Sequence, residues 1–190
     1  YSFILCLHPR LGSISGEQFL TLTMPGLHAV SNALAAAACA VAVGSNLSSI
    51  ITGLSTVRSA PGRLQRFNLE NSYNVIDDSY NANPNSFKTA LDVLCCCDGY
   101  RIVVMGDMGE LGNYAEEAHQ NIGRYAQNLG IDSFLGVGAL SKIATDAFGG
   151  DHFQNQNQLL DALAQKIDLL KIPITEVTIL VKGSRSSHME

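Results

Sequence analysis

The chain is 190 residues long, 46% hydrophobic and 15% charged, with a formal net charge of −5. That balance fits a globular protein with a real core and argues against a general nucleic-acid or membrane-surface binder. No apolar run reaches bilayer-spanning length, because Gly, Ser and Asn interrupt even the Ala-rich stretch.

The first residues show neither a basic region nor a small-residue cleavage site, so no signal peptide is expected. The five cysteines, Cys6, Cys39, Cys95, Cys96 and Cys97, are odd in number and three are consecutive. None forms a CxxC pair and the histidines are scattered, so reduced thiols in a cytoplasmic protein are expected, without a metal site.

In chain order, residues 2–7 and 17–23 read as two strands joined by a turn containing Pro9, Gly12 and Gly16. They look like the last hairpin of a larger sheet. Residues 28–42 form an Ala-rich helix stopped by Gly44, and 45–57 fit a second, shorter one. Asn32 is the odd polar member of the first, and a buried, satisfied amide is one reading of it. Ser59-Ala60-Pro61-Gly62 then breaks the regularity, and a boundary between two structural units is placed there.

From Arg63 onward strands alternate with helices, the mark of a mainly parallel sheet. Strands are expected at 64–69, 74–76, 100–105, 133–137 and 177–181, and helices at 86–96, 114–128, 139–148 and 156–169. Four strand-to-polar-turn transitions would then point the same way and give the sheet one polar rim.

The stretch from Asn74 to Pro84 dominates that rim. An apolar run ends in Asp77-Asp78-Ser79-Tyr80-Asn81-Ala82-Asn83-Pro84, with Pro84 in the first turn of the next helix. In open α/β sheets ligands bind beyond the carboxyl ends of strands, where such turns lie. Helix capping by Asp78, Ser79 or Asn81 is the plainer reading, but capping needs only one such residue.

Nucleotide fingerprints are incomplete. Gly136-Val137-Gly138 follows a strand but lacks the third glycine of a dinucleotide motif. Lys182-Gly183-Ser184 has no glycine five positions before Gly183, so no Walker A loop is present in the sequence.

Several stretches taken together resemble one family. Pro25-Gly26-Leu27-His28, then Asn32-Ala33-Leu34-Ala35-Ala36, then Ala60-Pro61-Gly62-Arg63, then Asp77 to Pro84 occur in Mur ligase order. Met105-Gly106-Asp107-Met108-Gly109-Glu110-Leu111-Gly112 and Val181-Lys182-Gly183-Ser184-Arg185-Ser186 are similar to its D-alanyl-D-alanine-adding branch.

The resemblance implies an α/β fold: a Rossmann-like, mainly parallel sheet with flanking helices. Residues 61–190 would be the family's C-terminal domain, stopping within a last helix. Residues 1–60 would be a hairpin-plus-helices remnant of its central ATPase domain. It also implies ATP-dependent amide formation through an acyl phosphate. D-alanyl-D-alanine and a UDP-N-acetylmuramoyl tripeptide would be the substrates, with ATP and Mg2+ held mainly by the rest of the central domain. A cytoplasmic enzyme, monomeric at full length, follows from the same resemblance.

Carried over by position, Asn32 and His28 resemble the adenine-side residues, although the asparagine that often follows the histidine is Ala29 here. Arg63 resembles the catalytic arginine that reaches the ATP phosphates, and Asp78 the ribose contact. Tyr80, Asn81 and Asn83 would face the amino substrate. Asp107, Glu110, Ser184 and Arg185 are candidates for the dipeptide pocket, where an arginine suits a terminal carboxylate. For Asp107 and Glu110 a solvated turn is the alternative, and for His28 a helix-start histidine bonded to backbone. The rivals are another Mur-type or folylpolyglutamate amide ligase, and a non-catalytic nucleotide-binding or scaffold domain.

Overall fold

The computed structural model describes residues 2–7, 16–24, 26–68 and 73–190. The turn expected at 8–15, Pro25 and the strand end at Leu69 lie outside the described residues. The chain divides into two compact units, Tyr1–Ser59 and Ala60–Glu190.

In the first unit, β1 (Ser2–Leu7) and β2 (Gly16–Thr21) pair antiparallel, with Phe3 opposite Leu20 and Ile4 opposite Phe19. Strand alternation sends Leu5 and Leu20 inward and leaves Ile4 and Phe19 exposed on the other face. Helix α1 (Leu27–Ala42) buries Ala29, Ala33, Ala37 and Val41, one residue per turn. This narrow stripe of small side chains packs with Leu5, Leu20 and Leu22. Helix α2 (Leu47–Thr56) starts at Asn46, whose Oδ1 accepts the Ser49 N–H at 2.8 Å, and contributes buried Ile50.

The second unit is a six-stranded sheet. Its strands are β3 (Gln65–Asn68), β4 (Asn74–Asp78), β5 (Tyr100–Met105), β6 (Ser133–Val137), β7 (Asp151–Phe153) and β8 (Val177–Lys182). They lie side by side in the order β3-β4-β8-β5-β6-β7, with only the β3–β4 pairing antiparallel.

Period-two alternation on fully buried strands builds two cores. Ile76, Val103, Met105, Phe134 and Leu180 pack on one face with α3 (Pro84–Cys95), α4 (Ala115–Asn128) and α5 (Ser141–Phe148). Ile102, Val104, Leu135, Val177 and Ile179 pack on the other with Leu159 and Ile167 of α6 (Gln156–Leu169). Phe87, Leu91 and Leu94 of α3 are fully buried at helical spacing, and each stabilises the unit by about 1.5–3 kcal/mol.

Two helix starts are set by capping. Helix α3 begins at Pro84, because Asn83 Oδ1 accepts the Ser86 N–H at 2.9 Å while Ser86 Oγ accepts the Asn83 N–H at 3.0 Å. Replacing Asn83 with alanine removes the Oδ1 half of this box, while the backbone N–H of residue 83 can still donate to Ser86 Oγ. The substitution is expected to cost about 1 kcal/mol, read from the urea midpoint of the second unit. Helix α5 begins at Ser141 rather than 139, and the cap it lacks locally arrives from another loop, described below.

Candidate functional site

Strands β4, β8, β5 and β6 end level with one another: Asp78 is paired with Lys182, Lys182 with Met105, and Met105 with Gly136. Beyond β4 the chain turns into α3. Beyond β8 it runs toward α6, where Gln156 Nε2 donates to the Ser187 and His188 carbonyls at 3.0 and 2.7 Å. Neighbouring strands whose continuations leave toward opposite faces make the crevice in which open α/β sheets bind ligands. The rim between β4 and β8 is that place.

The centre of this rim is an ion pair. Lys182 has a side chain 1% exposed, and its Nζ donates to Asp78 Oδ2 and, at 2.9 Å, to the Asn81 carbonyl. Asp78 is 8% exposed, and its other carboxylate oxygen accepts the Leu64 N–H at 3.0 Å. Burial pushes the Asp78 carboxyl up and the Lys182 ammonium down from their ordinary values, each shift opposed by the partner's charge. The positive charge of Arg63 adds to the downward push on Lys182.

Arg63 itself is exposed, and its guanidinium carbon lies 4.3 Å from the centre of the Tyr80 ring. The Tyr80 N–H donates to the Gly62 carbonyl at 3.0 Å. Gly62 has φ 67°, and a Cβ there would sit 2.9 Å from the Tyr80 nitrogen, so the contact requires glycine. The guanidinium fork is thus held at the rim with its donors open to an anion.

Other polar residues of the turn serve the backbone. Asp77 accepts the Ser79 N–H at 3.0 Å, Asn81 accepts the Ala82 N–H at 2.9 Å, and Asn83 caps α3. Tyr80 and Asn81 remain exposed beside Arg63.

Asp107, after β5, acts as the missing cap of α5. Its Oδ1 accepts the Leu140 and Ser141 N–H groups at 3.1 and 2.7 Å. Gly138 sits against this carboxylate, where a Cβ would come within 2.4 Å of Oδ1. The Asp107 carbonyl meanwhile accepts from the Ser184 N–H at 2.9 Å and Ser187 Oγ at 3.0 Å. The loops after β5, β6 and β8 are therefore tied at one residue. Ser184 is buried, and its Oγ meets Ser186 Oγ at 3.0 Å. Glu110 is exposed in a left-handed conformation, and exposed Arg185 pairs with Glu190 at 3.2 Å.

The sequence assigns no role to two residues of this site. Lys182 lies in the Val181-Lys182-Gly183-Ser184-Arg185-Ser186 stretch, where nothing local marks it as the partner of Asp78. His119 lies fully buried on α4; its Nε2 accepts the Met108 N–H at 2.9 Å and its Nδ1 sits 2.7 Å from the Ala115 carbonyl. Because an amide can only donate, the ring carries its proton on Nδ1, and it fixes the loop after β5.

In the first unit, His28 and Asn32 stand one turn apart on α1 and so share a helix face. Asn32 is exposed, which rules out the buried-amide reading. A separate groove of about 520 Å³, lined by Arg66, Asn74, Cys97, Asp98, Glu176 and Thr178 among others, opens at the opposite end of the sheet and shares no residue with the rim. Among the described residues, no three His, Cys, Asp or Glu side chains gather to hold a metal, and no helix is long and apolar enough to cross a membrane.

Residues 62–185 match the family described as Mur ligase, glutamate ligase domain. Over 177 residues the chain is 42% identical to UDP-N-acetylmuramoyl-tripeptide–D-alanyl-D-alanine ligase of Escherichia coli (strain K12), covering 93% of this chain and 38% of that protein. A crystal structure of MurF from Acinetobacter baumannii superposes with a TM-score of 0.84 at 36% identity, covering 92% of this chain and 38% of that one. MurF ligase from Thermotoga maritima in complex with ADP gives 0.75 at 21% identity, covering 91% and 39%, a likeness of fold alone. On the extent of the family match and the identity to these relatives, the chain belongs to the Mur ligase family.

Proposed function

We propose that the protein carrying this chain is an ATP-dependent ligase that joins D-alanyl-D-alanine to UDP-N-acetylmuramoyl-tripeptide, a step in building peptidoglycan precursors. The observation that carries the reading is an open guanidinium, Arg63, fixed at a sheet rim in a chain 42% identical to a ligase named for that reaction. Residues 1–60 would belong to the central ATPase domain and 61–190 to the C-terminal domain. The enzyme is read as cytoplasmic and monomeric.

ATP, when bound, supplies the phosphoryl group that turns the tripeptide carboxylate into an acyl phosphate. Arg63 is assigned to the phosphates, because its planar fork can bind two phosphate oxygens while Tyr80 carries its flat face. Asn32 presents an amide with both donor and acceptor to the adenine edge, with His28 beside it. Tyr80, Asn81 and Asn83, with Glu110, Ser184 and Arg185, border the amine side of the rim, and Asp107 shapes it through the loops it ties. No residue of this chain is assigned to magnesium, and the 190 residues alone are expected to turn over no ATP, since their sequence holds no Walker A loop.

The test is a coupled assay of ADP release by the complete protein with the UDP-linked tripeptide and each of three amines. D-alanyl-D-alanine alone is expected to support turnover. Turnover with glutamate or a diamino acid instead would identify a different amide ligase, and nucleotide binding without any turnover would favour the scaffold reading.

A further inference from the structure

We propose that His119 is a positioning residue for the amine substrate: by clamping one peptide plane after β5, it sets the loops that border the amine side of the rim. The proposal rests on the reading of that side as the place where the amine docks.

The plane is the peptide unit between Asp107 and Met108. Its N–H, from Met108, donates to His119 Nε2 at 2.9 Å. Its carbonyl, from Asp107, accepts from the Ser184 N–H at 2.9 Å and from Ser187 Oγ at 3.0 Å. A trans peptide is a rigid plate whose N–H and C=O point in opposite directions. Helix α4 therefore grips one edge of the plate, and the loop after β8 hangs from the other. The Asp107 side chain also caps α5, so the setting of this plate reaches the loops after β5, β6 and β8 together.

The grip is firm for a chemical reason. Helix α4 is anchored by fully buried Ala118, Ile122 and Ala126. The Ala115 carbonyl takes the Nδ1 proton of His119 at 2.7 Å, which leaves Nε2 a lone pair for the Met108 N–H. Water cannot replace either partner, because His119 and Met108 are both 0% exposed. Without the ring nitrogen the Met108 N–H is stranded, and the plate is driven to tilt toward another acceptor. Such a tilt carries the Asp107 carbonyl away from Ser184. Two residues beyond Met108, Glu110 holds φ 62°, a conformation that persists only where its surroundings over-determine it. Glu110, Ser184 and Arg185, the residues read as bordering the amine, thus all lie within reach of the plate. Arg63 is held elsewhere, on the Tyr80 ring, so the nucleotide side is expected to be indifferent to it.

The experiment compares three variants of the complete ligase. His119→Leu has nearly the bulk of the ring and no acceptor. His119→Asn keeps an amide too short to reach Met108, and His119→Gln returns an acceptor at the reach of Nε2. His119→Leu is expected to raise KM for D-alanyl-D-alanine at least about fivefold, with KM for ATP within about twofold of the parent. His119→Asn is expected to follow it, and His119→Gln to bring KM for the dipeptide back to within about twofold.

A histidine that only filled the core would lower the folded fraction, and with it kcat, at unmoved KM values. That result, equal changes in the two KM values, or a His119→Gln as impaired as His119→Leu overturns the proposal. Failure of both His119→Leu and His119→Asn to fold overturns it too, because the ring then serves the core. Amide exchange in the 190-residue chain provides a readout without turnover. Exchange at the Ser184 N–H is expected to quicken at least about tenfold in His119→Leu and to recover in His119→Gln. Unchanged exchange there overturns the clamp. Absence of ligase activity in the parent would sink the reading of the reaction, and exchange at Ser184 would then decide the clamp by itself.

Discussion

Lys182→Met is expected to destabilise the second unit by about 3–5 kcal/mol, read as a lower urea midpoint at unchanged slope. The cost arises because the substitution strands Asp78, a carboxylate 8% exposed, without its counter-charge, and also frees the Asn81 carbonyl. Burial pushes both groups toward their neutral forms while each partner's charge opposes the shift, so the pair's attraction is offset by the cost of burying two charges. Removing both charges in Asp78→Val/Lys182→Met is therefore expected to recover most of the loss, leaving the Leu64 N–H unpaired at about 1–3 kcal/mol and the carbonyl of exposed Asn81 without its lysine. A double variant as unstable as the single one would show that the pair contributes net attraction.

Arg63→Ala should behave in the opposite way, leaving the fold intact and cutting turnover. The side chain is exposed and packs on one exposed ring, a contact worth about 0.5–1 kcal/mol, so circular dichroism and melting should barely change. In the complete ligase, losing one charged contact to the transferring phosphoryl group is expected to lower kcat by about 10²–10³. Arg63→Lys should restore little, because a point charge neither forks across two oxygens nor lies flat on Tyr80. Near-parent turnover of Arg63→Ala would remove this residue from the site.

Much of the fold was legible because its signals are local. Apolar runs at 100–105 and 133–137 could only be buried strands, and Phe87, Leu91 and Leu94 spelled a helix face. β7 escaped notice because Asp-His-Phe is three residues with no alternation, and its parallel pairing with β6 is what makes it a strand. The site was less legible. Asn83 and Asp107 look like binding residues in sequence, yet one caps its own helix and the other caps a helix 34 residues onward. That Lys182 meets Asp78 depends on strand order, which no local pattern encodes, and the same holds for the grip of His119 on Met108.

The strand order also bears on how the molecule is made. β8, the last strand of the unit in sequence, is inserted between β4 and β5, and its lysine finds an aspartate synthesised 104 residues earlier. At about 5–20 residues per second, that aspartate waits some 5–20 s on the ribosome before its counter-ion emerges. During this interval β4 and β5 have no common neighbour and each offers an open edge. A shortened product ending ahead of Val177 would be missing the middle of its sheet rather than its margin, with two unjoined halves and a naked charge between them.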